Sequence, residues 1–313
     1  MSRRSARRRG SGEEGVRYPP WFWPSFAGPG IVWLALLFLV PFYVVLAIAF
    51  GTFDPIFRSP VPIWNPAQWY PGTFTNVVHQ TFGANAFLGP PFIRTFLYVA
   101  AASAICIVVA YPVAYYTARY AGKRRTLILV LLIAPFWISY MMRMLAWINL
   151  LQSDGLVNRT ITFLHLAPRP IDWLDGRPLT VILGLVYGYI PYMVLPLFAG
   201  LDRIDGSLLE AARDLGASPL RTFRRVTLPM SKQAILAGMV IVTLPMFGDY
   251  FTNNLLSGAP NTSMIGNIID DSIGTPGQGA NAAVLVLIVM VILIVPMLYY
   301  VYSTSRASRE RAA

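Results

Sequence analysis

Six long apolar segments run through this chain of 313 residues, and each has the length that a helix needs to cross a bilayer. A helix rises about 1.5 Å per residue, so roughly 20 apolar residues span the roughly 30 Å of hydrocarbon. A helix also satisfies its backbone polar groups within one segment, where no water reaches them. The pattern therefore predicts an all-α membrane protein. The six predicted transmembrane helices lie at about 30–50, 93–116, 127–150, 179–201, 235–256 and 283–303.

The composition excludes several other classes of protein. Hydrophobic residues make up 56% of the chain and charged residues 12%, a balance too apolar for a soluble domain. The single cysteine, Cys106, excludes a disulfide within the chain, and His79 and His165 both fall in predicted outer loops, so no metal site is expected. The sequence contains no Gly-x-x-x-x-Gly-Lys-Ser/Thr loop. If transport is driven by ATP, we expect the ATPase to be another polypeptide.

The basic residues predict the orientation in the membrane. Most of the 25 Lys and Arg precede the first span, follow the second, lie between the fourth and fifth, or end the chain. The positive-inside rule then places both termini and the loop at about 202–233 in the cytoplasm. This distribution also accounts for the net charge of +11, so nucleic-acid binding is not needed to explain it.

The same reasoning divides the chain into three parts. Residues 1–29 are predicted to be a disordered basic cytoplasmic tail, and residues 304–313 a second cytoplasmic tail. Residues 30–303 form the transmembrane domain. The first span is too long for a signal peptide and no small-x-small cleavage site follows it, so we expect an uncleaved anchor.

The polar loop between the fourth and fifth spans predicts two short helices joined by an elbow. Ser207 followed by Glu210 is a capping-box pattern, which begins a helix near 208. Gly216 can take the left-handed conformation that ends a helix, and Ser218-Pro219 offers a new N-cap and a first helical turn. Apolar residues recur at helical spacing in the first helix, at Leu208, Leu209, Ala212 and Leu215. This stripe needs a partner, which is either another protein, the chain's own span ends or lipid headgroups.

This loop resembles the "EAA" loop of bacterial ABC importer permeases. Glu210-Ala211-Ala212, Gly216, Val226 and Leu228-Pro229 match the family pattern with its full spacing. The resemblance implies that the loop docks on a partner ATPase, with Glu210 in the docking helix and Gly216 at the elbow. The residues it implies in coupling are Ser207, Glu210, Ala211, Ala212, Asp214, Leu215, Gly216 and Pro229.

From Phe92 onward the chain is similar to permeases of spermidine/putrescine importers, especially those of the first type. The matching stretches are Pro135-Phe136-Trp137 with Arg143, Gly184 to Leu197, and Leu208 to Ser218. The resemblance implies a type I ABC importer permease fold in a bacterial plasma (inner) membrane, without catalytic activity of its own. It also implies a heterodimer with a second permease subunit, two copies of an ATPase and an extracytoplasmic substrate-binding protein. No cofactor is expected in this chain, with ATP and Mg on the ATPase.

Two ionisable residues within the predicted spans are candidates for the substrate pathway. Asp249 and Arg143 lie at a similar predicted depth, where a charge is costly unless it faces protein or water. They either line a pathway or form a structural ion pair, and Arg143 alone could extend toward the interface. A carboxylate with aromatic faces suits a polyammonium ligand, although aromatic residues also serve as packing. The other candidates are Trp147, Tyr187, Tyr189, Tyr192, Tyr250, Asn253 and Asn254.

Three alternatives remain open at this point. A related permease could carry ferric iron, thiamine or a phosphonate, and an anionic substrate would favour Arg143 over Asp249 as its contact. An ion-coupled secondary transporter would need no ATPase. A membrane scaffold would need neither kinked spans nor an intramembrane aspartate.

Overall fold

The computed structural model describes residue 19 and the ranges 21–83 and 86–312. Side chains are described for all of these residues except 23 and 307–312. Most of the predicted N-terminal tail, residues 1–18 and 20, lies outside the described residues. The chain divides into two compact units, Met1–Val45 and Leu46–Ala313.

The first helix, α1, covers Phe22–Ala49 and carries Pro29 and Pro41 within it. It begins earlier than the predicted start at about 30, so residues 22–29 are helical. Pro24 is compatible with this start because it falls in the first turn, where its missing N–H leaves no helical hydrogen bond unmade.

The second unit is built almost entirely of helices. A two-residue hairpin, β1 (Thr52–Phe53) and β2 (Pro60–Val61), is antiparallel with Thr52 opposite Val61. The helices after it are α2 (Gly72–Phe82), α3 (Gly89–Arg119), α4 (Arg125–Ile133), α5 (Tyr140–Leu151), α6 (Leu156–Phe163), α7 (Pro178–Asp202), α8 (Gly206–Asp214), α9 (Pro219–Thr222), α10 (Leu228–Met230), α11 (Lys232–Phe247), α12 (Phe251–Leu256), α13 (Ile265–Gly274) and α14 (Gly279–Ala312). A π-helical turn at Phe223–Thr227 joins α9 to α10.

Four of these helices, α1, α3, α7 and α14, are long and apolar enough to cross a membrane. Two further pairs pass the same test together but are bent, by 88° between 122–137 and 140–163 and by 61° between 219–230 and 232–247. The described residues therefore hold four to six candidate spans, which confirms a mostly helical membrane protein.

The third and fifth predicted spans are each broken by a short stretch that is not α-helical. In the third, Pro135 lies in a 3-10 turn, and the chain becomes extended at Ile138 before α5 begins. Proline removes a backbone donor, and a 3-10 turn leaves the α-helical hydrogen-bond pattern, so the axis changes direction. In the fifth, α11 ends at Phe247 and residues 248–250 form a turn before α12.

Helices α3, α7 and α11 pack against one another at the centre of the second unit. Small residues permit this approach between α7 and α11. A side chain at Gly200 would overlap Ala234, and one at Gly238 would lie 2.6 Å from the Met193 sulfur. Glycines at such positions let membrane helices pack closely without a hydrophobic driving force.

Three segments between the predicted spans contain helices, namely α2, α6 and α13. Asn158 of α6 is buried and holds the following loop, because its amide exchanges hydrogen bonds of 2.9 Å with the backbone of Ile171. At the other end of the chain, α14 continues through Ala312, so the residues assigned to a C-terminal tail are helical as far as that residue.

Candidate functional site

The first helix of the elbow begins at an aspartate that the capping-box pattern did not indicate. Asp205 is the N-cap of α8, and its Oδ1 accepts a hydrogen bond of 3.0 Å from the Ser207 backbone N–H. This hydrogen bond lowers the pKa of the Asp205 carboxyl below its ordinary value. The predicted capping box of Ser207 and Glu210 was therefore wrong. Because α8 starts at Gly206, Ser207 lies inside the first turn rather than at the cap position.

The glycine elbow has the predicted geometry. Gly216 has φ +79, the Gly216 N–H donates to the Arg213 carbonyl at 2.8 Å, and the Ala217 N–H donates to the Ala212 carbonyl at 3.0 Å. This pair of hydrogen bonds is a Schellman motif. Ser218 then caps α9 through a 3.4 Å bond from the Arg221 N–H, with Pro219 in the first turn. Both local predictions are confirmed.

The apolar stripe of α8 divides between two environments. Leu209 is 7% exposed and anchors the helix on its own chain, whereas Leu215 is 89% exposed. Leu220, across the elbow on α9, is also exposed. The stripe is therefore only partly covered by the chain itself, and its exposed residues are available to a partner. Of the residues implied in coupling, Ser207, Glu210, Ala211, Asp214, Leu215, Gly216 and Pro229 are exposed and Ala212 is half-buried.

An arginine at the end of α3 supports the start of the elbow. One terminal nitrogen of Arg119 donates to the carbonyls of Leu201 and Ile204, at 2.8 Å each. Leu201 lies in the last turn of α7 and Ile204 just beyond its end, where carbonyls lack the regular helical donor four residues on. Arg119 therefore ties α3 to the segment from which α8 begins, a contact that sequence spacing could not reveal.

Within the membrane-spanning part, Asp249 lies at the break between α11 and α12 and is 6% exposed. Its Oδ1 accepts from the Thr252 backbone N–H at 2.9 Å. Its Oδ2 accepts from the hydroxyls of Tyr140 at 3.1 Å, Tyr189 at 3.0 Å and Thr252 at 2.7 Å. The carboxylate thus joins α5, α7 and α12, and it caps α12 in the manner of a helix N-cap.

Arg143 is buried, 8% exposed, and does not pair with Asp249. Arg125–Asp202, at 3.4 Å, is the ion pair found within the described ranges. The guanidinium carbon of Arg143 lies 4.1 Å from the ring centre of Phe136, with the rings of Tyr140 and Tyr187 at 5.3 and 5.9 Å. The structure therefore does not contain the ion pair that the sequence left open, nor does Arg143 extend outward.

Three of the remaining pathway candidates differ in how close they lie to Arg143 and Asp249. Trp147 packs edge-on against Tyr187 at 5.4 Å, beside the Arg143 aromatic cluster. Tyr192 is exposed and lies 6.4 Å from Tyr189. By contrast, Asn254 accepts a hydrogen bond of 2.7 Å from Asn267 of α13 and does not contact Asp249.

The last two candidates lie on either side of the start of α12. Tyr250 stacks on Phe251 with ring centres 4.2 Å apart. Asn253 is buried, and its Oδ1 has no hydrogen-bond partner within the part of the chain that the structure describes.

Two glycines on α7 make the Asp249 arrangement possible. A Cβ at Gly188 would lie 2.8 Å from the Tyr140 ring and 2.9 Å from its hydroxyl. One at Gly184 would lie 2.6 Å from a methyl group of Thr252. The Gly-x-x-x-Gly spacing of these residues puts them on one helix face. Their lack of side chains lets Tyr140 and Thr252 reach the carboxylate.

Comparison with known proteins places the chain in a family. The family model described as binding-protein-dependent transport system inner membrane component matches residues 16–309. This chain belongs to that family. The spermidine/putrescine transport system permease protein PotB of Escherichia coli is 33% identical over 241 residues, which is 76% of this chain and 81% of PotB. PotB of Haemophilus influenzae is 32% identical over 239 residues, 76% and 78% of the two chains.

The fold agrees with this membership. The crystal structure of a bacterial ABC transporter involved in the import of the acidic polysaccharide alginate contains a chain with TM-score 0.67 and 18% identity. The match covers 91% of this chain and 96% of the other. The protein is therefore a multi-pass permease subunit of an ABC importer that works with a binding protein, and it is a non-catalytic transport component.

Proposed function

We propose that this permease imports polyamines such as spermidine and putrescine across a bacterial inner membrane. Relatives at 32–33% identity carry that substrate in their names. The observation in the chain that supports the substrate class is the pairing of a buried carboxylate with aromatic faces. Asp249 lies beside Tyr140 and Tyr189, and neighbouring rings already accommodate the guanidinium of Arg143. Such a set favours organic cations over anions.

The pathway in this proposal runs past the turn at 248–250. All four hydrogen bonds to the Asp249 carboxylate come from neutral groups, which can be exchanged for the N–H groups of an ammonium. Asn253 adds a buried acceptor without a partner among the residues the structure describes. Trp147, Tyr187, Tyr192, Tyr250 and Asn254 complete the proposed lining.

The surface formed by α8, the Gly216 elbow and α9 is the proposed docking site for the partner ATPase. Leu215 and Leu220 are exposed there although both are large apolar side chains. Exposed apolar side chains next to charged ones are typical of a protein interface. Arg213, Arg221, Arg224 and Arg225, all exposed, surround the elbow, and their excess favours a cytoplasmic position for this loop and for both termini.

A continuous run of backbone connects this surface to the pathway. From Ser218 the chain passes through α9, the π-helical turn and α10 to α11, and the bend of 61° lies at Ser231. The Ser231 side chain lies 2.8 Å from the Tyr111 hydroxyl of α3, which holds the bend against the bundle. At the far end of α11 stands Asp249.

In the proposed mechanism this chain forms six spans and pairs with a second permease subunit. Two copies of the ATPase bind ATP and Mg and close on each other, which moves the elbow and hence α11. The spans then open outward to an extracytoplasmic binding protein loaded with substrate. Nucleotide and substrate shift this equilibrium only through their different affinities for the inward-open and outward-open states.

The proposed function is tested by uptake in a bacterial strain that lacks its own polyamine importers. The strain is complemented with this permease, its second permease, its ATPase and its binding protein, and uptake of radiolabelled spermidine and putrescine is measured. We expect saturable uptake that stops when the ATPase is omitted. Uptake of phosphonate, thiamine or ferric iron instead of polyamine would overturn the substrate. Uptake by this chain alone in liposomes would overturn the ATP-driven mechanism.

A further inference from the structure

The guanidinium of Arg143 occupies a cage of aromatic rings inside the membrane-spanning part of the protein. Its central carbon lies 4.1 Å from the Phe136 ring centre, 5.3 Å from that of Tyr140 and 5.9 Å from that of Tyr187. Trp147 packs against the edge of the cage through Tyr187. We call Phe136, Tyr140 and Tyr187 the aromatic cage.

This cation is held almost entirely by ring faces. Within the described ranges no carboxylate lies at ion-pair distance from Arg143, and its Nε and Nη1 are closed off from solvent without a hydrogen-bond partner. A partner subunit cannot reach these two nitrogens unless the surrounding side chains move. Burying an ion without a counter-ion costs free energy in a membrane protein. An ionisable residue kept there despite this cost indicates a functional position.

The cage is joined to Asp249 through one side chain. The ring of Tyr140 faces Arg143, while its hydroxyl donates to Oδ2 of Asp249 at 3.1 Å. Tyr189, a second donor to the same oxygen, has its ring centre 6.4 Å from that of Tyr140. A site for a cation and a carboxylate therefore lie next to each other.

We propose that Arg143 is an internal substitute for one ammonium group of a polycationic substrate. In the unloaded permease its guanidinium fills the aromatic cage, and during passage an alkylammonium group displaces it and stacks on the same rings. The long arginine side chain leaves the cage by rotation about its carbon–carbon bonds, without movement of α5. This inference rests on the proposed import of organic cations.

The chemistry of the cage argues against the opposite assignment, in which Arg143 binds an anion. Aromatic faces carry the negative part of the ring quadrupole, so they repel an anion and attract a cation. Tyr140 of the cage also donates its hydroxyl to the carboxylate of Asp249. An anion that entered the cage would meet three ring faces and lie near this carboxylate.

The experiment measures cation binding to the assembled permease–ATPase complex in nanodiscs, without the binding protein. Radiolabelled spermidine and methylguanidinium are the probes, and the variants are Arg143→Ala, Arg143→Lys and Arg143→Ala with Phe136→Leu. We expect Arg143→Ala to bind both probes at least about fivefold more tightly than the wild type, because the empty cage gains a cation–π contact. Arg143→Lys keeps a cation in the cage and should bind like the wild type.

Two controls separate the cage from general effects of charge. Adding Phe136→Leu to Arg143→Ala should abolish the gain in affinity, because a ring face is lost. Arg159→Ala removes a positive charge at an exposed position of α6 and should leave the affinity unchanged. Failure of the Arg143→Ala complex to assemble would be detected by size exclusion, and Arg143→Gln, which keeps a long side chain, would then replace it.

The outcomes also separate this inference from the proposed substrate. If the wild type imports spermidine but removal of the Arg143 charge brings no gain for either probe, the internal-substitute role is overturned and the substrate stands. If methylguanidinium binds Arg143→Ala tightly but the wild type imports no polyamine, the cage is supported as a cation site and the proposed polyamine substrate is overturned. Loss of binding of an anion such as phosphonate on removal of Arg143 would overturn the proposal outright.

Discussion

The Tyr140 hydroxyl donates a hydrogen bond of 3.1 Å to Oδ2 of Asp249, a residue 109 positions further along the chain. This bond joins α5, which follows the break in the third candidate span, to the break at the end of α11. Both ends of the bond thus lie where a span loses its regular helical geometry. Asp249 also accepts from the Thr252 backbone N–H, so its side chain satisfies a backbone group at membrane depth, where water is not available to do so.

The Asp249 junction is the carboxylate of Asp249 together with the Tyr140, Tyr189 and Thr252 groups that donate to it. Tyr140→Phe should weaken this junction and leave the other hydrogen bonds in place. Hydrogen bonds to charged groups contribute about 1.5–3 kcal/mol, so we expect a lower melting temperature of the purified complex and a several-fold loss of uptake. Asp249→Asn should have a larger effect, because it replaces the carboxylate that accepts all four hydrogen bonds by a neutral amide. Tyr116→Phe, at an exposed site on α3, is the control. Equal melting temperatures for Tyr140→Phe and Tyr116→Phe would contradict a stabilising role for the bond.

Gly188→Ala tests whether close approach of α7 is required for the same junction. The added Cβ would lie 2.8 Å from the Tyr140 ring and 2.9 Å from its hydroxyl, so the side chain that donates to Asp249 must move. Overpacking of this kind costs about 1–3 kcal/mol, and we expect uptake to fall about tenfold. Gly274→Ala, where nothing lies within 4 Å of the new atom, should retain normal uptake. Comparable uptake by the two variants would show that the Tyr140 position does not matter for transport.

Asp205→Ala should loosen the first turn of α8, whereas Ser207→Ala should not. Hydrogen exchange of the backbone amides at 206–210 in the full complex provides the measurement, and we expect severalfold faster exchange only in the Asp205 variant. The folded-state pKa of Asp205 is depressed, so its stabilising effect is present above the ordinary aspartate pKa and disappears as the pH falls through the lower, folded value. Faster exchange in Ser207→Ala would instead support the capping box of Ser207 and Glu210 and contradict the role of Asp205.

Gly216→Val should separate ATP hydrolysis from transport. At φ +79 a side chain costs about 1–2 kcal/mol, and nothing lies within 4 Å of the added Cβ, so the strain is in the backbone alone. We expect normal membrane insertion, continued ATPase activity and at least about tenfold less uptake. Gly274→Val, outside the proposed docking surface, is a matched control, since its surroundings are equally open and its φ is not positive. If both variants transport alike, the elbow conformation is not needed for coupling.

Local signals in the sequence predicted the elbow well. The left-handed Gly216, the Ser218 cap and Pro219 in the first turn depend on residues within a few positions of one another, so short-range rules apply to them. The cap at Asp205 was missed because Ser207 and Glu210 form an equally good local pattern. The helix starts at Gly206 instead, close behind the segment that Arg119 holds through the carbonyls of Leu201 and Ile204.

The Asp249 junction could be predicted only in part. Depth in the apolar segment correctly marked Asp249 and Arg143 as unusual, but their partners come from distant segments. Tyr140 and Thr252 contribute hydroxyls only because α7 has glycines at 184 and 188 and because two spans are broken. Hydrophobic periodicity shows that a segment is apolar, yet it carries no information on where the helix axis bends by 88°.

The most direct test of the account is a crosslink from the exposed end of α8. Cys106, the only cysteine in the sequence, is buried, so Leu215→Cys introduces one accessible thiol for a photoactivatable maleimide. In the assembled, transport-competent complex we predict a crosslink to the ATPase whose yield changes when ATP is trapped with vanadate. Crosslinks confined to lipid or to this chain, in a complex that still transports, would contradict the proposal that the elbow is the site at which a separate ATPase drives this permease.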